Sequence, residues 1–373
     1  MNNMNSNIYL GLMSGTSLDG VDGVLVELPE DGSEMHLLGS AYQPFSDAMR
    51  AEAMALQQPG ENEIHREALL ANQLAASYAN CVATLLQQAP QVSVRAIGAH
   101  GQTIRHRPEL GYTRQSNNPA LLAELCGIDV IADLRSRDVA AGGQGAPLVP
   151  AFHRAIFAAP NVCRVVVNIG GISNISVLHA DGSTTGFDTG PGNVLMDAWI
   201  AQHQAKAYDE NGDWARQGQV QVDLLTVLCD EEFLHLSPPK STGRDLFSPT
   251  WLSDKLSAFS TLAAVDVQAT LCAFTASTLA DAISRYAPEV SGVFVCGGGA
   301  YNANLMQQLA QELAQRGCHA SVDSTAALGV SPSHVEALAF AWLAQRFILR
   351  LPGNLPDVTG AKGLRLLGAL YPA

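Results

Sequence analysis

Between residues 64 and 88, apolar side chains fall at Leu70, Leu74, Tyr78, Val82 and Leu85. They are three or four apart, which predicts one long helix with a single buried face. Pro119 suits a first helical turn and Gly127 a stop, ahead of a strand at 128–132. Further helices are predicted over 194–202, 267–286, 302–315 and 334–349, and strands over 94–99, 293–296 and 319–322. Two places read as strand–turn–strand. Apolar runs 8–12 and 21–28 flank a small polar turn at 13–20, and runs 164–169 and 175–178 flank a second turn at 170–174. These hairpins lie about 155 residues apart, one ordinary domain length, which suggests a duplicated unit with one hairpin in each half. Strands alternating with helices mean α/β, with parallel pairing expected for much of each sheet. No low-complexity stretch or flexible linker separates the halves, so the domains should be closely joined.

Composition narrows the class. Of 373 residues, 47% are hydrophobic and 15% charged, which excludes a disordered acidic segment and fits two or three domains with substantial cores. Lys and Arg number 21 against 35 Asp and Glu, a net charge of -14 that argues against a duplex-DNA surface. Nucleotides stay possible, because backbone N–H groups can hold phosphate without net positive charge. Seven cysteines stand far apart without metal-ligand spacing, as expected for reduced thiols in a cytosolic protein. Residues 1–7 carry no secretory signal, and no apolar run approaches the ~18 residues of a bilayer span, so a cytoplasmic protein without membrane partners is expected.

The first turn carries Ser14, Gly15, Thr16, Ser17, Leu18, Asp19, Gly20, Val21 and Asp22. Its glycines allow close approach of an anion, its hydroxyls add donors, and its carboxylates suit Mg²⁺ or a sugar hydroxyl. A polar hairpin stabilised by its own side chains is the plainer reading. Neither a P-loop, a Rossmann glycine fingerprint, a nucleophile elbow nor a zinc helix is present, so a nucleotide site must be of another kind. Asp188 precedes Gly190-Pro191-Gly192 at the end of a predicted strand facing a cleft, where a carboxylate could act as general base or simply cap the turn. Gly297, Gly298 and Gly299 join a strand to a helix and would let a flat ring or ribose lie against backbone. The remaining polar clusters are His100-Gly101-Gln102-Thr103, then Asp133, Arg135, Arg137 and Asp138, and Glu336 beside His334. Each has a plain structural alternative: a strand-end donor, a surface ion pair, an acid favoured in a first helical turn. The polar loop at 237–245 is rigid, with no chemical role readable from its residues.

Together these motifs resemble the actin, Hsp70 and sugar-kinase superfamily, whose two related actin-like (RNase H-like) α/β domains close over a central ATP and sugar cleft. The strings at 11–22, 99–103, 168–174, 187–193 and 239–244 are more specific and resemble the anhydro-N-acetylmuramic acid kinases. That resemblance implies domains at 1–133 plus 345–373 and at 134–344. It implies ATP-dependent hydrolytic opening of a 1,6-anhydro amino sugar, with phosphate placed on O6, in cell-wall recycling. Asp188 would activate water, with Arg137 and Glu336 as catalytic partners and His100, Gln102 and Thr103 in the sugar pocket. Residues Gly15 to Asp22 would form one phosphate loop, and Asn168, Gly170, Gly171 and Asn174 the other, with Gly297 to Gly299 along the adenosine. Relatives in the wider superfamily carry an acid on the first strand where this chain has Met13, which leaves Mg²⁺ to Asp19 or Asp22. A homodimer is a further implication. A levoglucosan-type kinase is the sister reading, and an actin- or chaperone-like ATPase the alternative from another class.

Overall fold

The computed structural model describes residues 6–15, 17–31 and 33–373; Thr16, one of the expected phosphate-loop residues, lies outside them. Thirteen strands are present among the described residues. They are β1 (Ile8–Met13), β2 (Gly20–Glu27), β3 (His36–Pro44), β4 (Ala96–Ala99), β5 (Gln102–Arg107), β6 (Tyr112–Ser116), β7 (Val130–Ala132), β8 (Arg164–Ile169), β9 (Ile172–Leu178), β10 (Thr184–Pro191), β11 (Gly292–Cys296), β12 (Ser321–Ser324) and β13 (Ala369–Tyr371).

The chain forms two compact units, one made of residues up to Phe152 and from His334 onward, the other of His153–Ser333. The first contains a six-stranded sheet ordered β13-β7-β4-β1-β2-β3, the second a five-stranded sheet ordered β10-β9-β8-β11-β12. Direction repeats as well as order. The hairpins β1–β2 and β8–β9 are antiparallel and each gains a third antiparallel strand, while the strands beyond β1 and β8 run parallel. Two copies of one mixed sheet, with β13 added to the first, bear out the duplication expected from the hairpins and the actin-like α/β fold that the resemblance implies. Parallel pairing is confined to one flank of each sheet, less than the helix–strand alternation implied.

Each unit has its own core. In the first, Leu70, Leu74, Tyr78, Val82 and Leu85 of the helix Glu63–Gln88 pack with Leu10, Leu12 and Leu25. In the second, Leu271, Phe274 and Leu279 of the helix Ala264–Tyr286 pack with Val165, Val167, Val293 and Val295. The other face of the first sheet takes the helix Val335–Ile348 at backbone distance. A Cβ on Gly11 would stand 1.9 Å from the Ala337 carbonyl oxygen, and one on Gly98 would stand 2.0 Å from that of Phe340. Only glycine lets helix and strand backbones meet this closely. The division at Phe152 and His334 differs from the expected boundaries: residues 134–152 and 334–344 lie in the first unit, the latter through this helix. No helix among the described residues is long and apolar enough to cross a membrane. All seven cysteines are free thiols.

Candidate active site

In the first unit, the turn between β1 and β2 is pinned from beneath by the residues that follow β4. Ser14 donates its hydroxyl to the Gly101 carbonyl (3.0 Å) and accepts from the Tyr78 hydroxyl (2.7 Å). Gln102 donates its side-chain amide to the Gly15 carbonyl at 3.0 Å. His100 is buried with both ring nitrogens engaged. Nε2 accepts from Arg135 Nε (3.1 Å), so the proton sits on Nδ1, which donates to the Ser14 carbonyl (3.0 Å). His100 therefore fastens the turn to Arg135, whose Nη1 donates in turn to the Gly145 carbonyl at 2.8 Å.

Burial, reinforced by the Arg135 charge, holds the His100 pKa down at about 3. The unfolded imidazole takes up its proton near pH 6.5 and the folded one does not. His100 thus adds stability above pH 6.5 that is lost as pH falls toward 3. We expect His100→Gln to be destabilised at pH 7 and the gap to wild type to shrink by about 2 kcal/mol at pH 5. Urea unfolding at the two pH values measures this; a pH-independent gap would mean the imidazole is protonated in the fold.

Within the turn, Leu18 adopts a left-handed backbone (φ 59°) and buries its side chain. Val21 is buried as well, so these two can offer a ligand only backbone. Ser17 and Asp19 are exposed and joined by a 2.6 Å hydrogen bond. Asp22 lies on β2 directly opposite Met13 of β1. Facing residues of an antiparallel pair project to the same side. A carboxylate thus stands at the level where the superfamily's first-strand acid was missing. Burial, then Asp19, then Glu336 push the Asp22 pKa up to about 7. Glu336 belongs to the first turn of the helix that sits on Gly11 and Gly98, so those glycines set its position.

Arg137 is exposed on the short helix Ser136–Ala140, and its side chain has no hydrogen bond or ion pair among the described residues, leaving its guanidinium available to a ligand. Asp138 does the opposite. It is fully buried and accepts from the Gly145 amide, Asn354 and Thr359, tying the Gly142–Gly145 loop to the chain after the last long helix. Thr103 accepts a 3.2 Å hydrogen bond from Gln115 on β6.

In the second unit, Asp188 lies within β10, not at its end, opposite Asn174 of β9 and just before a bulge at Thr189. The loop with no readable role finds one here. The Thr242 amide donates to Asp188 Oδ2 at 3.0 Å, and the Asp188 amide donates to the Lys240 carbonyl at 3.3 Å. Lys240 anchors the loop by donating to the Phe233 and Leu234 carbonyls, both at 3.0 Å, with its ammonium over the Phe233 ring. The second turn is only Gly170-Gly171, because Ser173 and Asn174 already belong to β9. The carbonyls of that turn accept from the Gly192, Asn193 and Val194 amides, and a Cβ on Gly192 would meet the Gly170 carbonyl at 2.3 Å. Asn168 is buried under Gly297, where a Cβ would reach its Oδ1 at 2.5 Å; one on Gly299 would reach Ile169 at 2.3 Å. Packing therefore requires two of the three glycines. Gly298 is the exposed one, with nothing nearer its Cβ position than 3.6 Å.

Sequence reasoning missed Arg135 as the partner of His100 and Thr242 as the support of Asp188. The 237–245 string pointed to the second, but a backbone donor leaves no residue-type signal.

A family model described as anhydro-N-acetylmuramic acid kinase matches residues 7–373. Relatives named anhydro-N-acetylmuramic acid kinase, from Burkholderia orbicola (strain MC0-3) and Paraburkholderia xenovorans (strain LB400), are each 58% identical over 98% of this chain. The alignments cover 96% and 98% of those proteins. A remoter likeness, at 12% identity and a TM-score of 0.47, covers 92% of this chain and 96% of a solved activator of 2-hydroxyisocaproyl-CoA dehydratase from Clostridium difficile. On the family model over residues 7–373 and the relatives 58% identical across nearly their whole length, the chain belongs to the anhydro-N-acetylmuramic acid kinase family.

Proposed function

We propose that this protein uses ATP and water to convert 1,6-anhydro-N-acetylmuramic acid into N-acetylmuramic acid 6-phosphate and ADP, a cytoplasmic step in cell-wall recycling carried out by a homodimer. The observation that carries the reading is the Asp188 carboxylate, held by the Thr242 amide beside the β10 bulge in a member of this family. Asp188 takes a proton from water as its oxygen bonds to the anomeric carbon. The bond from that carbon to O6 breaks, and O6 receives the γ-phosphoryl group. Arg137, exposed and unpaired among the described residues, offers a cation to the sugar or to developing phosphate charge. Glu336 serves as the acid on the sugar side, and Gln102 and Thr103 line the sugar pocket, with His100 shaping it by holding the first turn and Arg135. The adenosine lies along Gly297 to Gly299, with Gly298 giving the backbone approach.

Phosphate binding falls to the backbone of Gly15 to Asp22 and to Asn168, Gly170, Gly171 and Asn174. Mg²⁺ fits the acid side of the first turn, because it takes one or two carboxylates plus phosphate and water rather than an all-protein cage. Asp22 and Asp19 supply such carboxylates, and no larger metal-binding cluster stands among the described residues. When bound, the ion would neutralise phosphate charge.

The test couples ADP release to addition of anhydro-N-acetylmuramic acid, of levoglucosan, or of no sugar, in ¹⁸O-water. ADP release that depends on the amino sugar, with label at the anomeric carbon, is expected. Release without sugar, with label in free phosphate, would replace the reading with a simple ATPase. Preference for levoglucosan would move it to the sister enzyme.

A further inference from the structure

The loop that supports Asp188 carries a side-chain anchor of its own, and that anchor opens onto a cavity. Lys240 is half-buried, and its ammonium donates to the Phe233 and Leu234 carbonyls of the short helix Glu232–His235. The same charge sits 4.7 Å from the centre of the Phe233 ring and 5.8 Å from that of Phe187, the residue before Asp188. Main-chain bonds run from there to the candidate base. The Lys240 carbonyl accepts from the Asp188 amide, and two residues on, the Thr242 amide donates to the Asp188 carboxylate. One short segment thus holds Asp188 by main chain and side chain, and the Lys240 ammonium ties that segment to the body of the unit.

A cavity of about 210 Å³ adjoins the anchor. Its titratable wall groups besides Lys240 are Cys229, His235, Asp281, Arg285, Tyr286 and Arg316. Successive strand residues face opposite sides, so Phe187 on this wall places Asp188 on the other face of β10. Arg285 pairs with Asp281 at 2.9 Å and Arg316 pairs with Glu312, which leaves Lys240 as the cation on this wall that reaches the Asp188 loop. Burial, then the Arg285 charge, lowers the Lys240 pKa, while Asp281 and Asp188 raise it. The attraction is mutual, so the ammonium also favours the ionised form of Asp188.

Resting on the function proposed above, we propose that Lys240 is the positioning residue for the base. Its ammonium, seated on the Phe233 and Leu234 carbonyls, fixes the loop whose main chain orients Asp188 and keeps it ionised. Lys240 reaches neither water nor sugar; it acts from behind the strand, through Asp188.

Lys240→Met keeps an unbranched stem against the two rings and removes the donors. It should lower kcat about 10²-fold, the order of cost for a misplacement of about 1 Å, with ATP affinity and the KM for anhydro-N-acetylmuramic acid nearly unchanged. The acid limb of its pH–kcat profile should move up by about one unit, because Asp188 loses the cation and the Thr242 bond that favour its charged form. Lys240→Arg keeps charge and donors and should recover most of kcat. Lys240→Ala vacates the stem's volume beside the cavity, so propylamine should restore turnover and uncharged 1-propanol should not. A methionine variant that melts early but keeps the wild-type pH profile would make Lys240 a packing residue and overturn the proposal, as would equal rescue by both compounds. The methionine and arginine variants decide the matter if the alanine variant does not fold. Wild-type protein without sugar-dependent ADP release fails the functional reading itself, an outcome distinct from active enzyme whose kcat and pH profile ignore Lys240.

Discussion

Asp188→Asn should lower turnover by roughly 10²–10⁴, the range for removing a positioned general base, while nucleotide affinity stays near wild type. The geometry makes this substitution unusually clean. Asp188 Oδ2 accepts from the Thr242 amide at 3.0 Å, and an asparagine oxygen can accept the same bond. The 239–243 loop should therefore keep its place, as should the pairing of β10 with β9. What asparagine cannot do is take a proton from water. Steady-state ADP release with anhydro-N-acetylmuramic acid, beside titration of a fluorescent ATP analogue, separates the two effects. A variant that still turns over at the wild-type rate removes Asp188 as the base. A variant that loses ATP affinity as well as turnover would show that Asp188 has a role in shaping the nucleotide site.

Gly11→Ala should cost about 3 kcal/mol of stability, toward the upper end for overpacking. Its new methyl group would stand 1.9 Å from the Ala337 carbonyl oxygen and 2.8 Å from the Ala341 nitrogen, and both obstacles are backbone. No rotamer change relieves such a clash, so the helix Val335–Ile348 must move off the sheet. Glu336 moves with it, and activity should fall along with the melting temperature, by about 10 °C for a unit of this size. Gly170→Ala is the contrast. Its nearest obstacle is the Ile172 carbonyl oxygen at 3.7 Å, so the melting temperature should hardly change, and any loss of ATP affinity then reports on the loop itself. Thermal unfolding of the two variants in parallel checks the pair. A Gly11→Ala protein that melts with the wild type would falsify the close helix–strand contact.

The two hairpins and the long helices were legible because their cues are local. The face of Glu63–Gln88 follows a 3.6-residue period, and the Asn-Ile-Gly-Gly string marks the end of a buried strand. Strand β3 was not, because it is an edge strand with little burial and so has almost no apolar alternation. Strand β13 is three residues long and is defined only by its pairing with β7, far away in sequence. The boundary near residue 334 was missed for a related reason. Gly11 and Gly98 carry the signal for a helix at backbone distance, but nothing local says which helix. At the candidate site, residue types located Asp188, Asp22, Glu336 and Arg137 as candidates without revealing their environments. The opposition of Asp22 to Met13 is a matter of strand register, and the support of Asp188 comes from a main-chain amide. Neither is written in side-chain identity.

The discontinuity of the first unit has a consequence for how the protein comes off the ribosome. Residues 153–333 emerge as one uninterrupted stretch and can complete their sheet as soon as they are made, since domains fold as units. The other unit cannot. Its strands β1 and β4 are synthesised early, but the helix that covers Gly11 and Gly98, and the strand that borders β7, arrive only after the whole of His153–Ser333 has been added. During that interval, one face of the nascent sheet has no cover. The strand bearing Gly11 is made early and finished late.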